Sequence, residues 1–248
     1  EAKQIHKLGQ ADPRILTDPL FTLDVKTGMP RATLSNVALI LEKDKAYGKF
    51  FRYNLFDDKL YYGEELAADH IDSAINIDIE RRYGFDMRTS LVQEAVLKTA
   101  HEHAFHPIID YLNELQWDGV SRIDDLLAQG FGAQGDPSFL SEAGRKWLIG
   151  AVARIYKPGC QVDNMIVLVG PEGIRKSTGL RALAGEEWFA DSVLPLGNKD
   201  AYMQLAGRWF YEVGEMDSFR KAESTLIRAF LTSKEDTYRP PFGRHVVK

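Results

Sequence analysis

A single cysteine, Cys160, among 248 residues excludes an intramolecular disulfide framework and fits a reducing compartment. No apolar stretch approaches the roughly 20 residues of a membrane span. The opening segment EAKQIHKLGQADPRIL lacks the apolar core of a signal peptide. Positive charge is also in deficit, with 31 Lys and Arg against 36 Asp and Glu, which argues against a protein whose main work is coating nucleic acid or anionic membrane. There is no internal repeat and no low-complexity tract. A soluble, cytoplasmic globular protein is the expectation. The start without methionine and the end in HVVK read as a fragment of something longer.

What is present is a change of periodicity along the chain. Residues 1–30, with Pro13, Pro19, Gly28 and Pro30, read as irregular. TLSNVALILE predicts a short helix from Thr33. Alternation in KFFRYNLFDDKLYYG predicts a hairpin turning at Asp57 and Asp58. From Asp69 to Leu115 the period is helical, with Ser90 and Gln93 in a capping-box pattern and His106-Pro107 opening a further helix. GFGAQGDP, residues 130–137, is the candidate linker, so a mainly helical region with a hairpin is assigned to 1–134 and a second domain to 135–248. Ser141 is placed as the cap of a helix with Trp147, Leu148, Ala151, Val152 and Ile155 inward, stopped by Pro158-Gly159.

The most informative stretch is VDNMIVLVG, residues 162–170, followed by GPEGIRKST, residues 170–178. Five consecutive apolar residues predict a strand buried on both faces of a parallel sheet. A strand, a glycine-containing loop and a helix opening on Lys-Ser form the phosphate-binding arrangement. Gly170, Pro171, Glu172, Gly173, Ile174, Arg175, Lys176, Ser177 and Thr178 are therefore candidates for holding ATP. Backbone N–H groups would cradle phosphate oxygens, Lys176 would meet the terminal phosphates, and the Ser177 hydroxyl would ligate Mg²⁺. Arg175 stands where the usual pattern has glycine, at a point where backbone passes close to phosphate. It crowds the nucleotide, demands a backbone angle that arginine dislikes, points outward, or adds a phosphate contact of its own. The bland alternative is a polar strand-to-helix turn. GRWFYEVGEMD, residues 207–217, predicts a second strand bearing an acid near its C-terminal end; Glu215 is the preferred catalytic and metal-holding acid, with Glu212 as its neighbour.

Together these residues resemble the virulence-associated protein E family, P-loop proteins of phages, prophages and pathogenicity islands related to superfamily 3 helicase-type ATPases. The resemblance covers most of the chain from Thr33 to Val247. It rests on AFHPIIDYLNELQWDGVSRIDDLL, on GRKWLIGAVARIYKPGCQVDNMIVLVGPEGIRKSTGLRALAGEEWF, and on GRWFYEVGEMD followed by DTYRPPFGR. It implies an α/β P-loop NTPase sheet domain, ATP and Mg²⁺ as cofactors, and ATP hydrolysis in the replication of mobile-element DNA. Single-stranded DNA, replication proteins and a homo-oligomeric ring are the implied partners. Asp236, Arg239 and Arg244 fall in the tail of the family pattern, where a role facing a neighbouring subunit's nucleotide is implied. The 79 residues from Gly170 to Lys248 predict at most a partial ATPase core. A nucleotide- or DNA-binding module without turnover remains the alternative.

Other signals are weaker. Between Ser141 and Arg181, seven basic residues face three acids, either a phosphate-binding patch or a solvated helix face. His101, His103 and His106 are spaced to scatter over different helix faces, unlike the i, i+4 pair of a helical zinc site. Cys160 reads as a small structural residue, and Trp117 as a packing anchor or, alternatively, a base-stacking surface.

Overall fold

The computed structural model describes residues 10–47, 50–192 and 203–214. The structure is mixed α/β with small sheets, and its contacts divide it into two compact units, residues 1–107 and 108–248. The linker expected at 130–137 falls inside the second of them.

In the first unit, residues 10–30 are more ordered than their Pro and Gly content predicts. Asp12 caps a four-residue helix α1 (Pro13–Leu16) by accepting from the Arg14 N–H at 3.0 Å. Helix α2 (Leu34–Lys43) starts at the Thr33 cap and is buried from Asn36 to Leu41. Asn36 explains the order upstream. Its amide donates to the Thr22 and Arg31 carbonyls at 2.7 and 2.8 Å and accepts from the Thr22 N–H at 2.8 Å. The hairpin forms as expected from β1 (Phe51–Asn54) and β2 (Lys59–Tyr62), and a short β3 (Glu65–Leu66) adds a third antiparallel strand. Phe51 opposite Tyr62 and Tyr53 opposite Leu60 turn to the core, where α2, α3 (Ile71–Tyr83) and α4 (Thr89–Glu102) meet. Ser90 does not cap α4. The cap is Arg88, in extended conformation, and Ser90 lies within the first turn.

This core also holds ions. Asp44 sits 2.5 Å from the Arg82 guanidinium and accepts from the Tyr83 hydroxyl at 2.6 Å, while Tyr47 donates to Asp78. Burial, then the neighbouring carboxylates, push both phenols well above their ordinary range, so each stays a donor.

Helix α5 (Pro107–Glu114), all but its first residue in the second unit, is opened by Pro107 as the sequence predicts. The WDG turn that follows leaves Trp117 80% exposed, its indole N–H donating to the Val120 carbonyl at 3.3 Å; it anchors the turn, not the core. A single π-helical turn spans Leu126–Gly130. Helix α6 (Pro137–Tyr156) starts earlier than Ser141, because Asp136 accepts from the Phe139 N–H and Pro137 fits the first helical position. Ser141 instead bonds Asp124 at 3.3 Å.

The strand expected over 162–169 is irregular chain that pairs with no described strand, with Val169 91% exposed. A residue buried on both sheet faces needs a neighbour on each side, and here the run is held at its start. Val162 lies over the bare Cα of Gly150, so close that a Cβ there would meet it at 2.8 Å. Arg154 donates to the Val162 carbonyl at 3.3 Å. The paired strands are β4 (Phe189–Ala190) and β5 (Phe210–Tyr211), parallel to one another. Ala184, Phe189 and Phe210 are buried between helix α7 (Lys176–Ala184) and the Trp147, Leu148 and Ala151 face of α6. Gly179 gives α7 its approach to the Phe131 ring, which a Cβ would meet at 2.8 Å. Among the described residues, no helix is long and apolar enough to cross a membrane.

Candidate functional site

The 170–175 loop turns at Gly173, in left-handed conformation at φ 78°, and ends at Arg175, also left-handed at φ 65°, ψ 30°. At Gly170 a Cβ would meet the Ile174 side chain at 2.9 Å, so the bare backbone lets Ile174 fold over the loop's beginning. Arg175 occupies the N-cap of α7 without capping it by its side chain. The first N–H groups of a helix have no intrahelical partner and carry the positive end of its dipole.

Lys176 is the first residue of α7, and its ammonium donates back to the Gly170 and Pro171 carbonyls at 2.9 and 2.8 Å. The ammonium thus closes the loop that the helix opens. Ser177, one residue on, donates to Glu212 Oε1 at 2.8 Å. That contact joins residues 35 apart, and the parallel pairing makes it: Ala190 lies opposite Tyr211, and the Glu212 N–H donates to the Ala190 carbonyl at 2.7 Å. Glu212 is therefore the first residue past β5, at the C-terminal edge where open parallel sheets place ligands. Its second oxygen, Oε2, is buried and has no hydrogen-bond partner among the described residues. An unpaired carboxylate oxygen removed from water is costly unless a cation or donor meets it.

Of the residues read from the sequence, the structure thus brings together Gly170, Pro171, Lys176, Ser177 and Glu212. Glu172 is exposed in the turn, Thr178 is exposed on the first turn of α7, and Ile174 covers Gly170. Glu215, Asp236, Arg239 and Arg244 lie outside the described residues.

Arg181 was read from the sequence only as one of seven bases in a stretch, and Asp191 was not read from it at all. Arg181, one turn after Ser177, binds Asp191 at 2.8 Å and Glu186 at 2.9 Å and lies 4.8 Å over the Phe189 ring. Glu186 first, then Asp191 and Glu212, raise its pKa. Asp191 directly follows β4 as Glu212 follows β5, so the two acids end adjacent strands. The signal existed, an acid closing the apolar pair Phe189-Ala190, but a two-residue strand is below what alternation detects.

Three bases of the stretch from Ser141 to Arg181 pair with acids. Asp124 and Glu142 pair with Arg145, Glu142 with Lys146, and Glu186 and Asp191 with Arg181. His101 stacks on Tyr53 at 4.0 Å and His106 packs on Phe56 at 5.2 Å.

Residues 112–248, more than half of the chain, match the Virulence-associated protein E-like domain. The chain belongs to that family. The matched region contains the loop, α7, β4, β5 and Glu212, together with the WDG turn and α6. No curated protein matches the chain.

Proposed function

We propose that this virulence-associated protein E-like chain binds ATP with Mg²⁺ at the 170–177 loop and hydrolyses it. On this reading the second unit is a P-loop ATPase of the superfamily 3 helicase type, acting on DNA during replication of a phage or other mobile element. The carrying observation is the Ser177–Glu212 hydrogen bond, which sets the helix-opening Lys-Ser pair against an acid at the end of a parallel strand. A hydroxyl and a carboxylate are hard oxygen ligands suited to Mg²⁺, and the orphaned Oε2 of Glu212 fits a cation there. Ser177 and Glu212 would hold the ion, which when bound supplies positive charge against the phosphates.

The chain's own groups do the rest. Lys176 exchanges two carbonyl oxygens for phosphate oxygens, a charge-assisted contact stronger than the ones it leaves. The first N–H groups of α7 orient the phosphate chain. Glu215 is the acid to which the attacking water gives its proton, with Glu212 orienting the hydroxyl of Ser177. Single-stranded DNA, the element's replication proteins and a ring of subunits are the partners, with Arg239 and Arg244 facing a neighbouring subunit's nucleotide.

ATP turnover with and without single-stranded DNA, at two salt concentrations, tests this. Turnover that DNA stimulates, and that stimulation fading with salt, is the expected result. Absence of ATP binding, or binding unaffected by Lys176→Ala, rejects it. A module that binds without turnover is favoured by Arg175, whose side chain stands at the left-handed position glycine usually fills. Tight ATP binding with no phosphate release would select that alternative.

A further inference from the structure

We infer that Arg181 is a positioning residue for the candidate cation site: it fastens the end of β4 to α7 and so keeps Ser177 against Glu212, which rests on the nucleotide reading above. Helix α7 sends two side chains to strand ends, Ser177 and, one turn on, Arg181, and residues at that spacing share a helix face. Ser177 donates to Glu212, directly after β5, at 2.8 Å, and Arg181 donates to Asp191, directly after β4, at 2.8 Å. The two strand ends are joined in turn, because the Glu212 N–H donates to the Ala190 carbonyl at 2.7 Å. These contacts close a circuit from α7 through β4 and β5 back to α7.

β4 and β5 pair over only two residues each, so their ladder alone fixes little of how α7 sits above them. The Ser177 contact sets one point of that seat, and a second point is needed to fix the rotation of the helix. Arg181 supplies it in a geometry that lysine cannot copy. One guanidinium nitrogen reaches Asp191 after β4, and the other reaches Glu186 before it at 2.9 Å. The guanidinium carbon lies 4.8 Å from the centre of the buried Phe189 ring of β4. With the Arg181 side chain 38% exposed, either ion pair adds little to stability. Converging on one planar group, they set direction instead, and the Glu212 charge is close enough to add to the raised pKa of Arg181. Removing a group that orients a metal-holding residue from behind changes metal affinity about 10–100-fold.

A fluorescent ATP analogue titrated into the full chain with and without Mg²⁺ tests this, using wild type, Arg181→Gln, Arg181→Lys, Asp191→Asn and Lys176→Ala, with thermal melting as the folding control. Arg181→Gln and Asp191→Asn are expected to lower the Mg²⁺ enhancement of binding about tenfold, while changing binding without Mg²⁺ less than about threefold. Arg181→Lys should recover only part of the enhancement, because charge is kept and the fork is lost. Should Arg181→Gln melt below the assay temperature, Asp191→Asn decides alone, since it leaves the arginine on Glu186 and Phe189. An undiminished Mg²⁺ enhancement in the folded variants, equal losses with and without Mg²⁺, or no Mg²⁺ enhancement in wild type overturns the inference. If wild type binds no ATP, or Lys176→Ala binds like wild type, the nucleotide reading itself fails and takes this one with it.

Discussion

In the first unit, buried charge is paired, Asp44 with Arg82 and Tyr83 and Asp78 with Tyr47 and Arg82, and the neutral Asn36 amide meets three backbone groups. In the second, Glu212 has one oxygen on Ser177 and the other without a partner among the described residues. Apolar burial differs in the same sense. The first unit buries Val37, Ile40, Leu41, Ile75, Ile79, Val92 and Val96 completely or nearly so, whereas the described core of the second centres on Ala184, Phe189 and Phe210. The first unit's buried atoms without a partner among the described residues, Asn76 Oδ1 and Thr99 Oγ1, are neutral, whereas in the second unit such an atom is a carboxylate oxygen, a far costlier omission unless a cation meets it.

The sharpest way to break this contrast is Asp44→Ala. It takes a carboxylate from beside a buried guanidinium and an acceptor from a buried phenol, and should cost about 3–5 kcal/mol in denaturant unfolding. Glu212→Ala should cost far less, because the carboxylate it removes is already half unsatisfied. Next, Gly150→Ala should cost about 1–3 kcal/mol, since a methyl group 2.8 Å from Val162 forces the start of the 162–169 segment away from α6. Arg175→Gly should move the other way, raising stability by about 1 kcal/mol through release of the left-handed strain.

The smallest effect concerns acid. The Arg14 side chain, then its backbone N–H, hold the Asp12 carboxyl down to about 2. A carboxyl depressed in the folded state contributes stability at pH above its ordinary value near 4, and that contribution is lost as pH falls through about 2. Asp12→Asn should flatten this part of the stability profile in a pH series of melting curves.

Much of the helical framework was legible because its signals are local. Thr33, the His106-Pro107 step and Gly185 mark ends that side chain and backbone decide within a few residues. The caps misread at Ser90 and Ser141 failed to a competitor upstream, Arg88 in extended backbone and Asp136 with Pro137 behind it. Arg175 was legible as a conformational problem, since any side chain at the loop's glycine position must accept a left-handed angle. What the residues alone did not reveal depends on long-range pairing. Glu212 meets Ser177 because β4 pairs with β5, and the apolar run at 162–169 is a strand only if something pairs with it. Asp191 escaped notice for the same reason, being adjacent to Glu212 only across a sheet two residues long.

The central assignment, a nucleotide and Mg²⁺ held by Lys176, Ser177 and Glu212, is tested most directly by calorimetric titration of ATP into the full chain with and without Mg²⁺, comparing wild type with Lys176→Ala and Glu212→Gln. The expected result is Mg²⁺-enhanced binding by wild type, loss of binding in Lys176→Ala, and loss of the Mg²⁺ enhancement alone in Glu212→Gln. Identical titrations for all three proteins would contradict the assignment.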